Sequence, residues 1–270
     1  MRLQSYLDRI GFAGVPRADL DTLTRLHRGH LNSIPYESLG VLLSEPLDFD
    51  NARIFDKLVT GRRGGWCYEM NGLFAWALEE IGFPITRVAA GVIRGRIGDD
   101  FVGNHLALLV DLDRRYLADV GFGDGLYEPV PLAEGVFEQQ GFISRLELMP
   151  DGWWRFHNHQ NCGAPDFDFR AEQADPARLA AMCAFLQHDE RSPFRQNVVL
   201  QRRLPDRVEI IRNAVRMTAY PDRLERRLMA DADEFLSEMR AVFGVDAPQA
   251  RALWPLALER GRIMLAENPL

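Results

Sequence analysis

The chain has 270 residues, 47% hydrophobic and 26% charged, which fits one large domain or two to three small ones packed together. A net charge of −7 argues against general nucleic-acid affinity, although a local basic patch can still hold a phosphate. Three cysteines, an odd and sparse count, fit a reducing compartment rather than a disulfide framework.

The first segment, MRLQSYLDRIGF, has no apolar signal core, and no run approaches the ~18 apolar residues of a membrane span. A cytoplasmic protein is the expectation, with no membrane and no nucleic-acid partner. A homo-oligomer is compatible with the sequence. Lys57 is the only lysine, which we read as gene base composition rather than chemistry.

Residues 1 to about 84 read as mainly helical. Leu20, Leu23, His27 and Leu31 form a stripe that ends before Pro35. His27 and His30 lie three residues apart with no third ligand type nearby, and are not read as a metal site. Glu37, in Ile34–Leu39, is expected either to pair with Arg62 or Arg63 or to be a solvated surface residue.

Arg63 to Gly82 is the most informative stretch. Cys67, Met70, Phe74, Ala77, Leu78 and Ile81 recur at helical spacing, and Gly82 is a C-terminal stop. Gly64 and Gly65 allow a tight turn and a close approach to the backbone. Cys67 falls in the first helical turn, where unpaired N–H groups and the positive helix end favour thiolate.

From Ile85 to about Met217 the period changes to two. The expected strands are Ile85–Arg94, Gly103–Val110, Arg115–Gly121, Gly141–Met149, Trp153–His157, Phe194–Leu204 and Val208–Met217. A helix interrupts them, with Asp175 as N-cap, Pro176 at its first position and Cys183 on its core face. His157, His159 and Cys162 lack a fourth ligand, so no zinc is assigned there. From about Pro221 the chain reads as helix, with Phe235, Met239 and Val242 on one segment and Leu253, Leu256 and Leu258 on another. No repeat or flexible linker separates the parts.

A cysteine nucleophile needs a base and a group that orients it. The hairpin from Gly103 to Gly123 supplies His105 near the start of one strand and Asp119 near the end of the next. A loop of Asp111-Leu112-Asp113 sets them directly opposite each other on one face. A two-residue loop sets them on opposite faces.

At these residues the chain resembles the arylamine N-acetyltransferase family. The matching motifs are Arg63-Gly64-Gly65-Trp66-Cys67 followed by Glu69 and Asn71, His105 in a short hydrophobic strand, and Asp119-Val120-Gly121-Phe122-Gly123. The segment His30 to Glu37 and Ser192-Pro193-Phe194 extend the likeness over most of the chain. The family has phenylalanine where this chain has Tyr36, and asparagine where it has Ser38. Its P-[DE]-G turn reads Pro205-Asp206-Arg207 here.

The resemblance implies an α+β fold in three parts. Residues 1–84 would form a helical bundle bearing the cysteine, 85–204 a β-barrel-like domain bearing His105 and Asp119, and 205–270 an α/β lid. The arrangement is that of cysteine-protease-like folds. It also implies acetyl-CoA as donor, an arylamine or hydrazine as acceptor, and no metal. The catalytic residues would be Cys67, His105 and Asp119, working as a thiolate–imidazolium pair in a two-step transfer. Tyr36, Phe122 and Phe194 would line the acceptor pocket and stack on an aromatic ring.

Gly121, Gly123 and Gly125 offer close backbone approach to the pantetheine arm or pyrophosphate of coenzyme A, or simply make a turn. Arg202, Arg203 and Arg207 meet the coenzyme phosphates or form a solvated basic face. The same triad also serves a cysteine hydrolase, a transglutaminase-like enzyme or a polyketide amide synthase, and a retained fold could act as a ligand carrier.

Overall fold

The computed structural model describes residues 1–267. Helices α1 (Leu3–Arg9) and α2 (Leu20–Ser33) open the chain. Asp19 caps α2 by accepting from the Thr22 N–H at 2.8 Å. A short helix (Asn51–Phe55) runs into a π-helical turn (Asp56–Thr60), and α3 spans Cys67–Ile81. Gly82 ends α3 with φ of +98°, a left-handed position that glycine takes without strain. Later helices are α4 (Pro176–His188), α5 (Ala232–Phe243) and α6 (Trp254–Glu267).

The strands are β1 (Tyr36–Glu37), β2 (Ile85–Val92), β3 (His105–Asp111), β4 (Arg115–Ala118), β5 (Val130–Pro131), β6 (Gly135–Gln139) and β7 (Phe142–Leu148). They continue with β8 (Trp154–His157), β9 (Asp166–Phe169), β10 (Val199–Arg203), β11 (Val208–Arg212), β12 (Val215–Ala219) and β13 (Leu224–Leu228). An eight-stranded antiparallel sheet, β5-β4-β3-β2-β9-β8-β7-β6, curls into a half-barrel. A second sheet runs β1-β10-β11-β12-β13. The fold is α+β, as expected.

β3 is apolar on both faces because it separates two cores. Leu108 and Val110 pack with Phe74 and Leu78 of α3, while Ala107 and Leu109 face Phe156 and Phe167 inside the half-barrel. This sandwich fixes α3 against the β3–β4 hairpin and so sets where the first turn of α3 meets the two strands.

Several boundaries differ from the reading of the sequence. Phe194 lies in a short helix, Pro193–Gln196, capped by Ser192, and the strand begins only at Val199. Ser-Pro at a helix start outweighed the strand propensity. Val208–Met217 is two strands, because Asn213 adopts φ of +58° and reverses the chain. β4 stops at Ala118, and β13 precedes the C-terminal helices. The proposed division at 204/205 lies in the turn between β10 and β11, which pair along their whole length.

Candidate active site

The segment Pro35–Glu37 and the glycine turn before Cys67 are brought side by side. The Glu37 N–H donates to Gly65 O at 2.9 Å, and Gly65 N–H to Pro35 O at 3.3 Å. A Cβ on Gly64 would lie 2.2 Å from Pro35 O, so only glycine lets the two strands of chain approach. The molecule that comes close to this turn is therefore the chain itself. The contact sets Tyr36 beside the start of α3.

Charges hold the turn from below. Glu37 is buried and pairs with Arg63 at 2.7 Å, which resolves its two readings in favour of the pair. Lys57 in the π-helical turn donates to both carboxylate oxygens of Glu69, at 2.9 and 2.8 Å. Glu69 in turn accepts from the Trp66 N–H at 3.3 Å, which satisfies one of the free donors at the helix start. Burial raises Glu69, and Lys57 opposes that rise.

Cys67 is buried at the first position of α3. Its sulfur lies 3.9 Å from Asn104 O. Burial pushes the thiol up, and hydrogen bonding from the backbone N–H groups of Leu106 and Tyr68 offsets only part of that rise. Burial thus works against the preference for thiolate that the helix end supplies. Removing water from the sulfur outweighs the few donors aimed at it.

His105 Nε2 and Asp119 Oδ2 are 2.7 Å apart, and both side chains are buried. The register differs from the one expected. Asp111 pairs with Arg115 and Leu108 with Ala118, so the hairpin loop is Leu112-Asp113-Arg114. The displacement is two residues, an even number, so both side chains keep the same face. Asp119 reaches His105 as a diagonal neighbour, from just beyond the end of β4, instead of from the opposed position. Phe122 and Phe167 flank the imidazole, with centroids at 5.3 and 5.1 Å.

Burial by itself would raise Asp119. The charge of His105 and hydrogen bonds from His105, Asn71 and Gly121 outweigh it and hold the carboxyl below its usual range. Asn71 is a residue whose part the sequence reading left unassigned. It lies one turn after Cys67 on the same face of α3, and its carboxamide bonds Asp119 Oδ1 at 2.7 Å. The i, i+4 spacing was the available signal.

A cavity of about 430 Å³ opens at this point. Cys67, His105, Tyr36, Phe122 and Phe194 all line it, so the three aromatic residues expected around the acceptor share one space with the cysteine and histidine. Its far wall comes from Ile210, Met217 and Leu224 of the second sheet and from Met264 of α6. Asp124, not singled out from the sequence, is buried in another wall. Its carboxylate accepts from Asn158 Nδ2 at 3.0 Å and from the Gly163 N–H, and so ties down the loop that carries Asn161 and Cys162.

Of the three glycines, Gly121 alone lines the cavity. A Cβ there would meet Asn71 Nδ2 at 2.5 Å, and one on Gly123 would meet Gln201 Oε1 at 2.0 Å. Gly125 packs against Phe122. The space in front of each is taken by the protein's own side chains. The arginines do not form one solvated face. Arg202 donates to Asn32 O at 3.0 Å and Val242 O at 2.9 Å. Arg203 is buried over the Phe142 ring at 4.2 Å, and Arg207 pairs with Glu209 and Asp206. His157 bonds Glu147, whereas His159 is buried against Asp124 O, so the two imidazoles serve different partners.

A family model described as N-acetyltransferase matches residues 19–252. The chain is 30% identical over 256 residues to an Escherichia coli arylamine N-acetyltransferase, spanning 92% of this chain and 90% of that protein. It is 44% identical over 146 residues to the Mycolicibacterium smegmatis enzyme, about half of either chain (52% and 53%). Among solved structures, the Nocardia farcinica arylamine N-acetyltransferase superposes with a TM-score of 0.86 at 32% identity, covering 96% of both chains. The Mycobacterium marinum enzyme, solved in complex with CoA, gives 0.84 at 25% identity, covering 96% of this chain and 99% of that one. With its sequence and fold both matched over nearly their full length, the chain belongs to the arylamine N-acetyltransferase family.

Proposed function

We propose that this protein moves an acetyl group from acetyl-CoA through a thioester on Cys67 to the nitrogen of an arylamine or hydrazine, as a cytoplasmic enzyme. The observation that carries this reading is the convergence of Cys67 and the Asp119-bound His105 on one aromatic-walled cavity. Binding of CoA by the Mycobacterium marinum relative supports the donor.

Burial disfavours a free thiolate, so the charge on the sulfur is to be balanced by proton transfer to His105. Asp119 occupies Nε2, which leaves Nδ1 as the basic nitrogen. The sulfur attacks the thioester carbonyl as its proton passes to Nδ1, and the imidazolium is held by the Asp119 carboxylate. The tetrahedral intermediate collapses, the C–S bond to coenzyme A breaks, and the imidazolium returns the proton to the departing thiolate. An amine then attacks acetyl-Cys67 and gives its proton to His105; the C–S bond to Cys67 breaks, the N-acetylated amine leaves, and the imidazolium returns the proton to the Cys67 thiolate. General acid–base help of this kind contributes about 10²–10⁴-fold. An arylamine is weakly basic, so it keeps its lone pair for attack near neutral pH, and Tyr36, Phe122 and Phe194 offer ring faces to stack on.

The test is intact-protein mass spectrometry after mixing with acetyl-CoA alone. One acetyl group should add to the native chain, be absent in Cys67→Ala, and disappear on adding an arylamine. No adduct on the native chain would remove acetyl-CoA as donor and bring the hydrolase or amide-synthase chemistry forward.

A further inference from the structure

We propose that Asn71 is a positioning residue that decides which nitrogen of His105 carries the proton. The inference rests on His105 serving as the base, and concerns how it is made ready. Asn71 is fully buried, and each half of its carboxamide is used. Nδ2 donates to Asp119 Oδ1 at 2.7 Å and to Leu106 O at 2.6 Å, and Oδ1 accepts from the Val120 N–H at 3.1 Å. One side chain of the nucleophile helix thus grips the residue after His105 and both the carboxylate and the backbone at Asp119.

The consequence lies in the two oxygens of that carboxylate. Asp119 Oδ1 also accepts from the Gly121 N–H at 2.8 Å, so its two hydrogen bonds come from Asn71 and Gly121. Oδ2 is then the oxygen left for His105 Nε2, at 2.7 Å. A carboxylate only accepts, so Nε2 must bear the proton and Nδ1 the lone pair. Without Asn71 the carboxylate keeps only the Gly121 N–H on Oδ1, Oδ2 is less firmly aimed, and the bond that selects the ring's tautomer weakens. Acyl chemistry at Cys67 needs the lone pair on the nitrogen that Asp119 does not hold, so Asn71 acts through Asp119 and His105 without touching substrate.

Two measurements test this, and neither uses acetyl-CoA or an amine, so they stand apart from the proposed transfer. The first is nitrogen-15 NMR of the His105 ring in Cys67→Ala, followed through a pH series and read on the deprotonated ring. The proton is expected on Nε2; a proton on Nδ1 overturns the proposal outright. In Cys67→Ala/Asn71→Ala the signal should move toward a mixture of the two tautomers, and an unchanged Nε2–H form would overturn it.

The second is the pH profile of Cys67 alkylation by iodoacetamide, read by peptide mass spectrometry so that Cys162 and Cys183 are counted separately. Asn71→Ala should slow alkylation at least tenfold at neutral pH while circular dichroism shows a folded chain; a rate within twofold of the native protein sinks the idea. If that variant does not fold, Asn71→Asp keeps the shape and the Val120 bond but sets a second carboxyl against Asp119. The two carboxyls then share a proton, and the profile should lose its alkaline side as that proton leaves. A profile superimposable on the native one overturns the role.

Discussion

His27 and His30 are buried behind the site, and among the described residues no well-formed hydrogen bond reaches Nε2 of either ring. Burial pushes His27 down to about 4 and His30 well below its ordinary value, against a bond from His27 Nδ1 to Tyr127 O. The folded pKa is thus lower than the unfolded value near 6.5, so protons bind the unfolded chain more tightly. Stability should be complete above about pH 6.5 and fall by about 1.4 kcal/mol per pH unit for each imidazole below it, reaching about 3 kcal/mol for His27 near pH 4. Asp119 works in a different window: its depressed pKa gives stability that is lost only as pH drops through the carboxylate range. Urea unfolding between pH 7 and pH 5 should show the slope, and His27→Gln should lower it by one proton's worth. An unchanged slope would clear His27. At this scale Cys67, His105 and Asp119 could be picked out as candidates because few residue types suit the chemistry proposed for them. Asp124 could not, and Asn71 showed only its i, i+4 relation to Cys67, because their partners lie 34 and 35 residues away at Asn158 and Leu106.

The helix α3 illustrates how two glycines can be required for different reasons. Gly82 has φ of +98° with open space around its Cβ position, so Gly82→Ala adds backbone strain alone, about 1 kcal/mol. In Gly64→Ala the new methyl meets Pro35 O and Glu37, and the turn before Cys67 must open. Its cost should exceed that of Gly82→Ala severalfold, with Cys67 alkylation slowed as well, whereas Gly82→Ala should leave alkylation unchanged. Denaturant unfolding and alkylation rates on both variants check this; equal effects would mean that the close approach does not organise the turn. Helix ends with a strong local signal, such as the start of α4 at Asp175-Pro176 and the end of α3 at Gly82, could be read to the residue. The segments 194–204 and 208–217 could not, because their apolar periodicity runs on through a helix start at Ser192-Pro193 and a turn at Asn213-Ala214. There, two or three residues of local geometry outweigh the pattern of ten.

Across the whole molecule, Arg202 joins parts far apart in sequence. Its guanidinium donates to Asn32 O in the last turn of α2 and to Val242 O in the last turn of α5. Both are carbonyl ends of helices, where free acceptors and the negative dipole end favour a cation. Arg202→Ala should lower stability by about 2 kcal/mol, as expected for hydrogen bonds to a charged group, with one cooperative transition seen by both fluorescence and circular dichroism. A variant as stable as the native chain would show that the link is incidental. From sequence alone this arginine reads as surface or as a phosphate ligand, since nothing local marks a residue that caps two helices at once. The family motifs made the α+β class legible, and the packing that joins its helices and sheets was not.

The chain's one lysine is spent inside the molecule, clamped to Glu69 beneath the cysteine turn with 16% of its side chain exposed. A protein proposed to carry an activated acetyl group therefore offers no free lysine amine on its described surface to intercept it. The same feature has a practical side. Succinimidyl esters and aldehyde cross-linkers, which rely on lysine, will find almost nothing to hold on this surface, and arginine or carboxyl chemistry becomes the natural route for tethering it to a support.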